Sequence, residues 1–275
     1  MDLTSDNLVI LKLGGSFLTF KDKPFKARRR AIRSLALFLA RRVIGSGVNL
    51  VLIHGGGSFG HYEALMDIRK HGHLSYEGYP RIASSMITLN QIVLQELVKA
   101  GVPAVSLPPR AFCIYDCESN SHACSYDMVR AVIEKGLIPL IFGDVIVGKG
   151  TCNPSIISGD DIAVNIASIY RNARIVFTMD VEGIYMPTRE GGLGSLIKEM
   201  DAREAHNLLM ELERVGRLRG YDVTGGIISK LRKSLLCIEK GFCSEVAFVS
   251  GEKKDSLYKA IFGFPGEYTV IKNKV

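Results

Sequence analysis

Apolar runs of strand length recur along the chain at residues 8–13, 49–53, 102–107, 137–142, 175–178 and 246–249. They are apolar throughout rather than alternating, the pattern of strands covered on both faces, as in a mostly parallel sheet. Between them lie longer stretches with helical spacing, at 27–44, 84–100, 125–134, 161–170, 202–212 and 224–239, several closing on a glycine such as Gly101, Gly136 or Gly241. The alternation predicts an α/β fold, an open and mostly parallel sheet sandwiched between helices. Residues 106–121, 148–160 and 186–195 read as loops. No repeat or low-complexity linker divides the chain, so residues 1–275 read as a single domain. Two approximate lobes, 1–150 and 151–275, would meet near the polar, proline-containing stretch 148–158.

Composition narrows the class. At 275 residues, 47% hydrophobic and 23% charged, the chain is long enough for a substantial core. No stretch reaches the roughly 20 apolar residues that span a bilayer, and the N-terminus, with Asp2 and Asp6 before Leu8, lacks a secretory pattern. A cytoplasmic protein without a membrane partner is expected. The six cysteines form no Cys-x-x-Cys pair and are expected as free thiols. Cys113, Cys117, His122 and Cys124 could hold a metal, but idle cysteines fit their spacing better. The net charge of +7 is spread along the chain apart from a basic run at 26–33. That spread speaks against nucleic acid as a partner and suits a protein that draws in polyphosphate anions.

The candidate chemistry sits at strand ends. The first apolar run closes on Lys12-Leu13-Gly14-Gly15-Ser16, and the second on His54-Gly55-Gly56-Gly57-Ser58-Phe59-Gly60-His61. The crevice beyond the carboxyl ends of the strands is where open α/β sheets bind ligands, and glycines there let backbone N–H groups approach phosphate oxygens. Either loop alone would pass for a tight turn entering a helix. Neither matches the Walker A loop or the dinucleotide Gly-x-Gly-x-x-Gly fingerprint. With Lys21, and with Thr224-Gly225-Gly226 leading to Lys230, the set suits phosphoryl transfer, where lysines and backbone donors neutralise charge in the transition state.

These motifs, with Gly143-Asp144-Val145, Ser158-Gly159-Asp160-Asp161 and Asp180-Val181-Glu182-Gly183-Ile184-Tyr185, appear in the order found in the amino acid kinase superfamily. Within it the chain resembles the isopentenyl phosphate kinases, over residues 8–272. Gly57-Ser58-Phe59-Gly60-His61 discriminates most, since acetylglutamate and carbamate kinases are not expected to carry that histidine. The resemblance implies an amino acid kinase-like αβα sandwich with an acceptor lobe and a nucleotide lobe. Lys12, Leu13, Gly14, Gly15, Ser16 and Gly57 would hold the ATP phosphates. Lys21 and Lys230 would stabilise the transferring γ-phosphoryl group, and Asp160 would orient the lysines. Gly56, His61 and Gly159 would take the acceptor. Asp180, the segment Tyr185, Met186, Pro187, Thr188, Arg189 and Glu190, and Gly226 with Lys230 would complete the ATP site. His61 by itself could be a packing residue and 185–190 a plain surface loop.

The resemblance departs in two places, Tyr62-Glu63 where a proline is looked for and Glu182 where a second aspartate is usual. It implies ATP with Mg2+ and no protein metal site, a small phosphorylated substrate, and a homodimer. The expected reaction is ATP-dependent, in-line phosphorylation of isopentenyl phosphate to isopentenyl diphosphate. An acceptor phosphate is already largely deprotonated near neutrality, so no general base is required. The alternatives are a kinase for fosfomycin or a nucleoside monophosphate, and a nucleotide sensor that has lost catalysis. Met86 and Ile87 are nominated for an alkyl pocket, with simple core packing as the plainer role.

Overall fold

A computed structural model of the chain describes residues 8–188, 192–219 and 225–272. The chain divides into two compact units, residues 11–162 and residues 1–10 with 163–275. The first begins within β1 (Leu8–Leu13) and continues with α1 (Gly15–Leu18), α2 (Arg29–Arg42), β2 (Asn49–His54), α3 (Gly57–His71), α4 (Tyr79–Lys99) and β3 (Ala104–Ser106). After the 3-10 turn Pro109–Ala111 come β4 (Cys113–Asp116), β5 (Ser121–Cys124), α5 (Asp127–Glu134), β6 (Ile138–Phe142), β7 (Asp144–Ile146), β8 (Ser155–Ile157) and α6 (Gly159–Tyr170). The second unit continues with β9 (Ala173–Met179), β10 (Tyr185–Pro187), β11 (Leu193–Leu196), β12 (Glu199–Asp201) and α7 (Ala202–Arg219). It ends with α8 (Gly225–Glu239), β13 (Cys243–Ser250), α9 (Lys254–Phe262) and β14 (Thr269–Lys272).

In the first unit the strand order is β1-β2-β6-β3, with β2 and β3 both parallel to β6. In the second it is β12-β14-β13-β9, continuing to β1, whose first three residues belong to that unit. There β12 is parallel to β14 and β13 to β9, while β13 and β14 run antiparallel. The mostly parallel, helix-flanked α/β sheet expected from the apolar runs is therefore present. All six residues of β1 are buried, as a strand covered on both faces requires. Ile32, Leu35, Ala36 and Leu39 of α2 repeat at helical spacing and bury one stripe, and Arg41 and Arg42 complement the negative end of the helix dipole.

The corner between α3 and α4 is tightly specified. α3 ends at Gly72 in the left-handed conformation, φ 77°. The buried Asp67 carboxylate then accepts from the Ser75 N–H at 2.7 Å and the Ser75 hydroxyl at 2.8 Å. Gly78 packs so closely on that carboxylate that no side chain fits there. Pro80 occupies the first turn of α4, where its missing N–H costs nothing. That helix therefore starts earlier than its apolar spacing suggests.

Several expectations are corrected. Four cysteines are paired, Cys113 with Cys124 and Cys117 with Cys152, leaving Cys237 and Cys243 as buried thiols. Cys113 and Cys124 face each other across the β4–β5 hairpin, a register that sequence spacing does not reveal. Residues 106–121, 148–160 and 186–195 are not simple loops, since they carry parts of the β4–β5, β7–β8 and β10–β11 hairpins. The two compact units change over inside α6, between Ile162 and Ala163, and the 148–158 stretch precedes that point. That stretch belongs to the first unit, tied in by Cys152 and by the Tyr76 hydroxyl, which donates to the Cys152 carbonyl at 3.0 Å. Ile87, nominated for an apolar pocket, is 53% exposed to solvent.

Candidate active site

In the first unit, β1 and β2 deliver their glycines to one place. A methyl group on Gly15 would lie 2.8 Å from both the N and Cα of Gly57, and one on Gly55 would lie 3.3 Å from the Gly15 nitrogen. Backbone meets backbone with no room for a side chain. The approach is held by the Gly55 N–H donating to the Leu13 carbonyl at 3.1 Å, and by Thr19. The Thr19 Oγ1 donates to the Gly15 carbonyl at 2.9 Å and accepts from the Ser58 N–H at 2.9 Å. Gly57 has φ +48°, which glycine adopts without strain. Gly143 and Gly159 close in similarly, with a methyl on Gly143 falling 3.1 Å from the Gly159 nitrogen.

At the centre of these glycines the Lys12 ammonium lies 2.7 Å from Asp160 Oδ1, and both side chains are buried. A buried ammonium without a partner would be strongly unfavourable. Asp160 supplies the charge from the start of α6, whose first turn is fixed by Ser158. The Ser158 Oγ accepts from the Asp161 N–H at 3.1 Å and donates to the Asp161 carboxylate at 2.6 Å, a local capping arrangement. Leu13 and Gly14 are buried beside Lys12, and Gly15 and Ser16 open α1.

The second glycine loop opens α3. The N–H groups of Gly56 and Gly57 have no acceptor among the described residues, so they stand as donors at the positive end of a 15-residue helix. His61 is exposed four residues beyond Gly57, on the same helix face. Helical side chains lean toward the N-terminus, so this spacing puts His61 one turn from those donors on their own face of the helix. One turn further on, Ala64 joins Ile82, Ala83 and Val145 in an apolar cluster flanked by Leu74 and Tyr79. Met86 is buried against Gly60, where a methyl group would come within 2.5 Å of its sulfur. A cavity of about 530 Å³ lies on the opposite flank of α3, lined by Phe25, Phe59, Glu63, Arg81 and Thr88 among others. Lys21 is exposed in the segment after α1.

In the second unit, Asp180 is exposed just beyond β9, and Gly251 donates its N–H to the Met179 carbonyl at 3.0 Å. Tyr185, Met186 and Pro187 form β10, and Thr188 follows. The Tyr185 hydroxyl donates to Glu182 Oε2 at 2.6 Å, and the Lys253 ammonium lies 2.6 Å from Glu182 Oε1. The Lys253 hydrogen bond, then that of Tyr185, pulls Glu182 down to about 2, and Glu182 in turn pushes Tyr185 up to about 12. Gly226 and Lys230 lie on the first turns of α8, with Lys230 Nζ 6.0 Å from the Phe177 ring centroid. Arg189, Glu190 and Thr224 fall outside the described residues.

Sequence reasoning passed over three groups. His54 ends β2 fully buried, and burial pushes its pKa down to about 4. Arg110 forms a buried pair with Asp144, reinforced by the Arg110 Nε donating to Asp144 Oδ2 at 2.7 Å. Burial still raises the Asp144 carboxyl against that partner. Lys254, at the start of α9, is lowered to about 8 by burial. The signal for His54 was available in its position before three glycines. The other two depend on tertiary packing. Among the described residues no group of three or more His, Cys, Asp or Glu side chains could hold a metal ion.

The amino acid kinase family model matches residues 7–245. The chain belongs to the amino acid kinase family. An isopentenyl phosphate kinase of Methanothermobacter thermautotrophicus is 30% identical over 266 residues, covering 93% of this chain and 96% of its own length. That of Methanocaldococcus jannaschii is 28% identical, covering 93% and 95%. The crystal structure of the T. acidophilum isopentenyl phosphate kinase product complex superposes with TM-score 0.73 at 26% identity, covering 97% of this chain and all of the other. The amino acid kinase fold implied by the ordered motifs is thereby established for this chain.

Proposed function

We propose that this chain is a small-molecule kinase that transfers the γ-phosphoryl group of ATP directly to isopentenyl phosphate, giving isopentenyl diphosphate and ADP. The observation that carries the reading is the buried Lys12–Asp160 pair set among glycines 15, 55, 57, 143 and 159, with open N–H donors and His61 on one flank. Likeness to isopentenyl phosphate kinases over nearly the whole chain supports the choice of acceptor.

In this reading Lys12, Leu13, Gly14, Gly15, Ser16 and Gly57 receive the ATP phosphates. Asp160 keeps Lys12 charged and in place. Lys21 and Lys230 balance the charge that develops as the phosphoryl group moves. Gly56, Gly159 and His61 hold the acceptor phosphate, whose negative charge favours the imidazolium form of His61. The five-carbon tail extends from His61 toward Ala64, Ile82, Ala83 and Val145, which offer apolar contact. Residues 180–190 and Gly226 serve the nucleoside, so 11–162 is the acceptor unit and 163–275 the nucleotide unit. Lysines and N–H groups offer no lone pairs to a cation, so Mg2+ fits here on the oxygens of ATP itself, where it would screen charge. A homodimer and a cytoplasmic setting accompany this reading. Among the described residues no helix is long and apolar enough to cross a membrane.

The test is turnover with ATP and magnesium on isopentenyl phosphate, fosfomycin and uridine monophosphate, with mass analysis of products. Isopentenyl phosphate is expected to be strongly preferred, and His61→Ala to raise its KM by about tenfold or more with little change for ATP. Preference for another acceptor, or ATP binding without transfer, would replace the reading.

A further inference from the structure

We infer that His54, the last residue of β2, is a positioning residue that aims the Gly56 N–H at the acceptor phosphate. The inference rests on the reading of this loop as the acceptor cradle. The ring's Nδ1 lies 3.1 Å from the Gly55 carbonyl oxygen. Its Nε2 lies 3.2 Å from Oδ1 of Asn90 in α4, and the Asn90 Nδ2 lies 2.6 Å from the Ser106 hydroxyl of β3. The ring stacks on Phe142 at 5.2 Å between centroids and has no exposed surface. Four elements, β2, α4, β3 and β6, therefore fix one imidazole.

That imidazole grips the peptide that matters. A carbonyl only accepts, so the bond requires the proton on Nδ1. Among the described residues no peptide bond is cis, and in a trans peptide the C=O of one residue points opposite to the N–H of the next. Tying down the Gly55 oxygen consequently sends the Gly56 N–H the other way, and among the described residues that N–H has no acceptor. The neighbouring peptides are already fixed, with the Gly55 N–H donating to Leu13 and the His54 carbonyl accepting from the Gly143 N–H at 2.9 Å. Glycine on both sides of the 55–56 peptide would otherwise let it turn freely.

A buried ring close to the Lys12 ammonium stays uncharged near neutrality. With its proton on Nδ1, its Nε2 must accept. That tautomer requires the Asn90 amide, placed with Oδ1 toward the ring and Nδ2 toward Ser106, to be the other way round, an exchange of two ends of equal size that leaves both distances as they are. The chain Ser106–Asn90–His54–Gly55 then selects one tautomer and one peptide orientation.

Two variants separate positioning from simple packing. His54→Asn places an amide N–H near the Nδ1 position, whereas His54→Gln places one near Nε2 only. We expect His54→Gln to raise the KM for isopentenyl phosphate by about tenfold or more, with the KM for ATP within about twofold and His54→Asn near wild type. Equal losses for both substrates, or the same result from both variants, would overturn the assignment. Nitrogen-15 NMR of the unaltered protein decides the point even if neither variant folds. The Nδ1–H tautomer should be present, and inorganic phosphate should move the Gly56 amide proton downfield. An Nε2–H tautomer, or a Gly56 amide indifferent to phosphate, would refute it. Failure of the wild type to phosphorylate isopentenyl phosphate would sink the parent reading, and the amide response would still decide this one.

Discussion

The buried groups at the head of the first glycine loops differ in charge for a physical reason. Lys12 is buried with the Asp160 carboxylate facing it at 2.7 Å, whereas the hydrogen-bond partners of His54 are neutral and burial pushes it down to about 4. The sign of the resulting pH dependence follows. The folded ring titrates below its ordinary value of 6.5, so its contribution to stability is complete above pH 6.5 and is lost as pH falls through 4. For a fully buried ring the loss amounts to roughly 3 kcal/mol. Urea unfolding of the wild type at pH 7 and pH 4.5 should show a larger drop than the same pair of measurements on His54→Gln. Parallel drops would mean that His54 stays neutral without cost, or that other groups dominate. Lys12 and the glycines were readable in the sequence because they directly follow apolar runs. His54 stands before three glycines and so carried a signal, but at the end of such a run a histidine looks like the start of the loop.

At the level of elements, β1, β2, β6, β9 and β13, and the edge strand β3 beside them, were legible because a short, uninterrupted apolar run suits little besides a strand of a covered sheet. The hairpins were not. β7 and β8 are three residues each, and β4–β5 mixes exposed and buried positions, so neither offers a period to detect. α3 was hidden by Gly57 and Gly60, poor helix formers that the packing nevertheless demands. Gly60 makes way for Met86, and Gly57 combines φ +48° with its closeness to Gly15. The Gly15–Gly57 contact belongs to two elements at once. Gly15→Ala should push β1's loop and α3's N-terminus apart, since backbone atoms 2.8 Å from the new methyl cannot rotate away. Turnover is expected to fall by about a hundredfold or more while the melting temperature shifts only a few degrees, in line with the sensitivity of phosphoryl transfer to position. A Gly15→Ala enzyme with normal kcat would show that the approach is not needed for chemistry.

Over the whole molecule, the net charge of +7 is not as evenly spread as composition suggests. Between residues 21 and 33 stand seven cations, Lys21, Lys23, Lys26, Arg28, Arg29, Arg30 and Arg33, against Asp22 alone. Lys23, Lys26 and Arg28 all lie within 6 Å of the Phe20 ring centroid. α2 begins with arginines and no acid in its first turn, the reverse of what its dipole favours. The same segment touches α3, where Phe25 packs edge-on to Phe59 at 5.7 Å and its N–H donates to the Ser58 carbonyl at 3.2 Å. Positive charge gathered beside the loop that opens α3 should speed the capture of anionic substrates. kcat/KM is therefore expected to fall by about tenfold as salt rises from roughly 0.05 to 0.5 M, with kcat nearly constant. Replacing Arg29, Arg30 and Arg33 together by Gln should flatten that dependence. An unchanged slope would assign the cluster another role.

The corner fastened by Asp67 bears on how such a protein changes its preferences. With Ser75 held by both oxygens of that carboxylate and Gly78 pressed against it, α3 and α4 share a rigid elbow. Widening the space between the helices would break these contacts together. If the acceptor's tail runs along the apolar cluster of Ala64, Ile82, Ala83 and Val145, as proposed above, adaptation to longer or shorter chains is expected to proceed by trimming or enlarging single side chains along a fixed wall, Ala64 and Ala83 first among them.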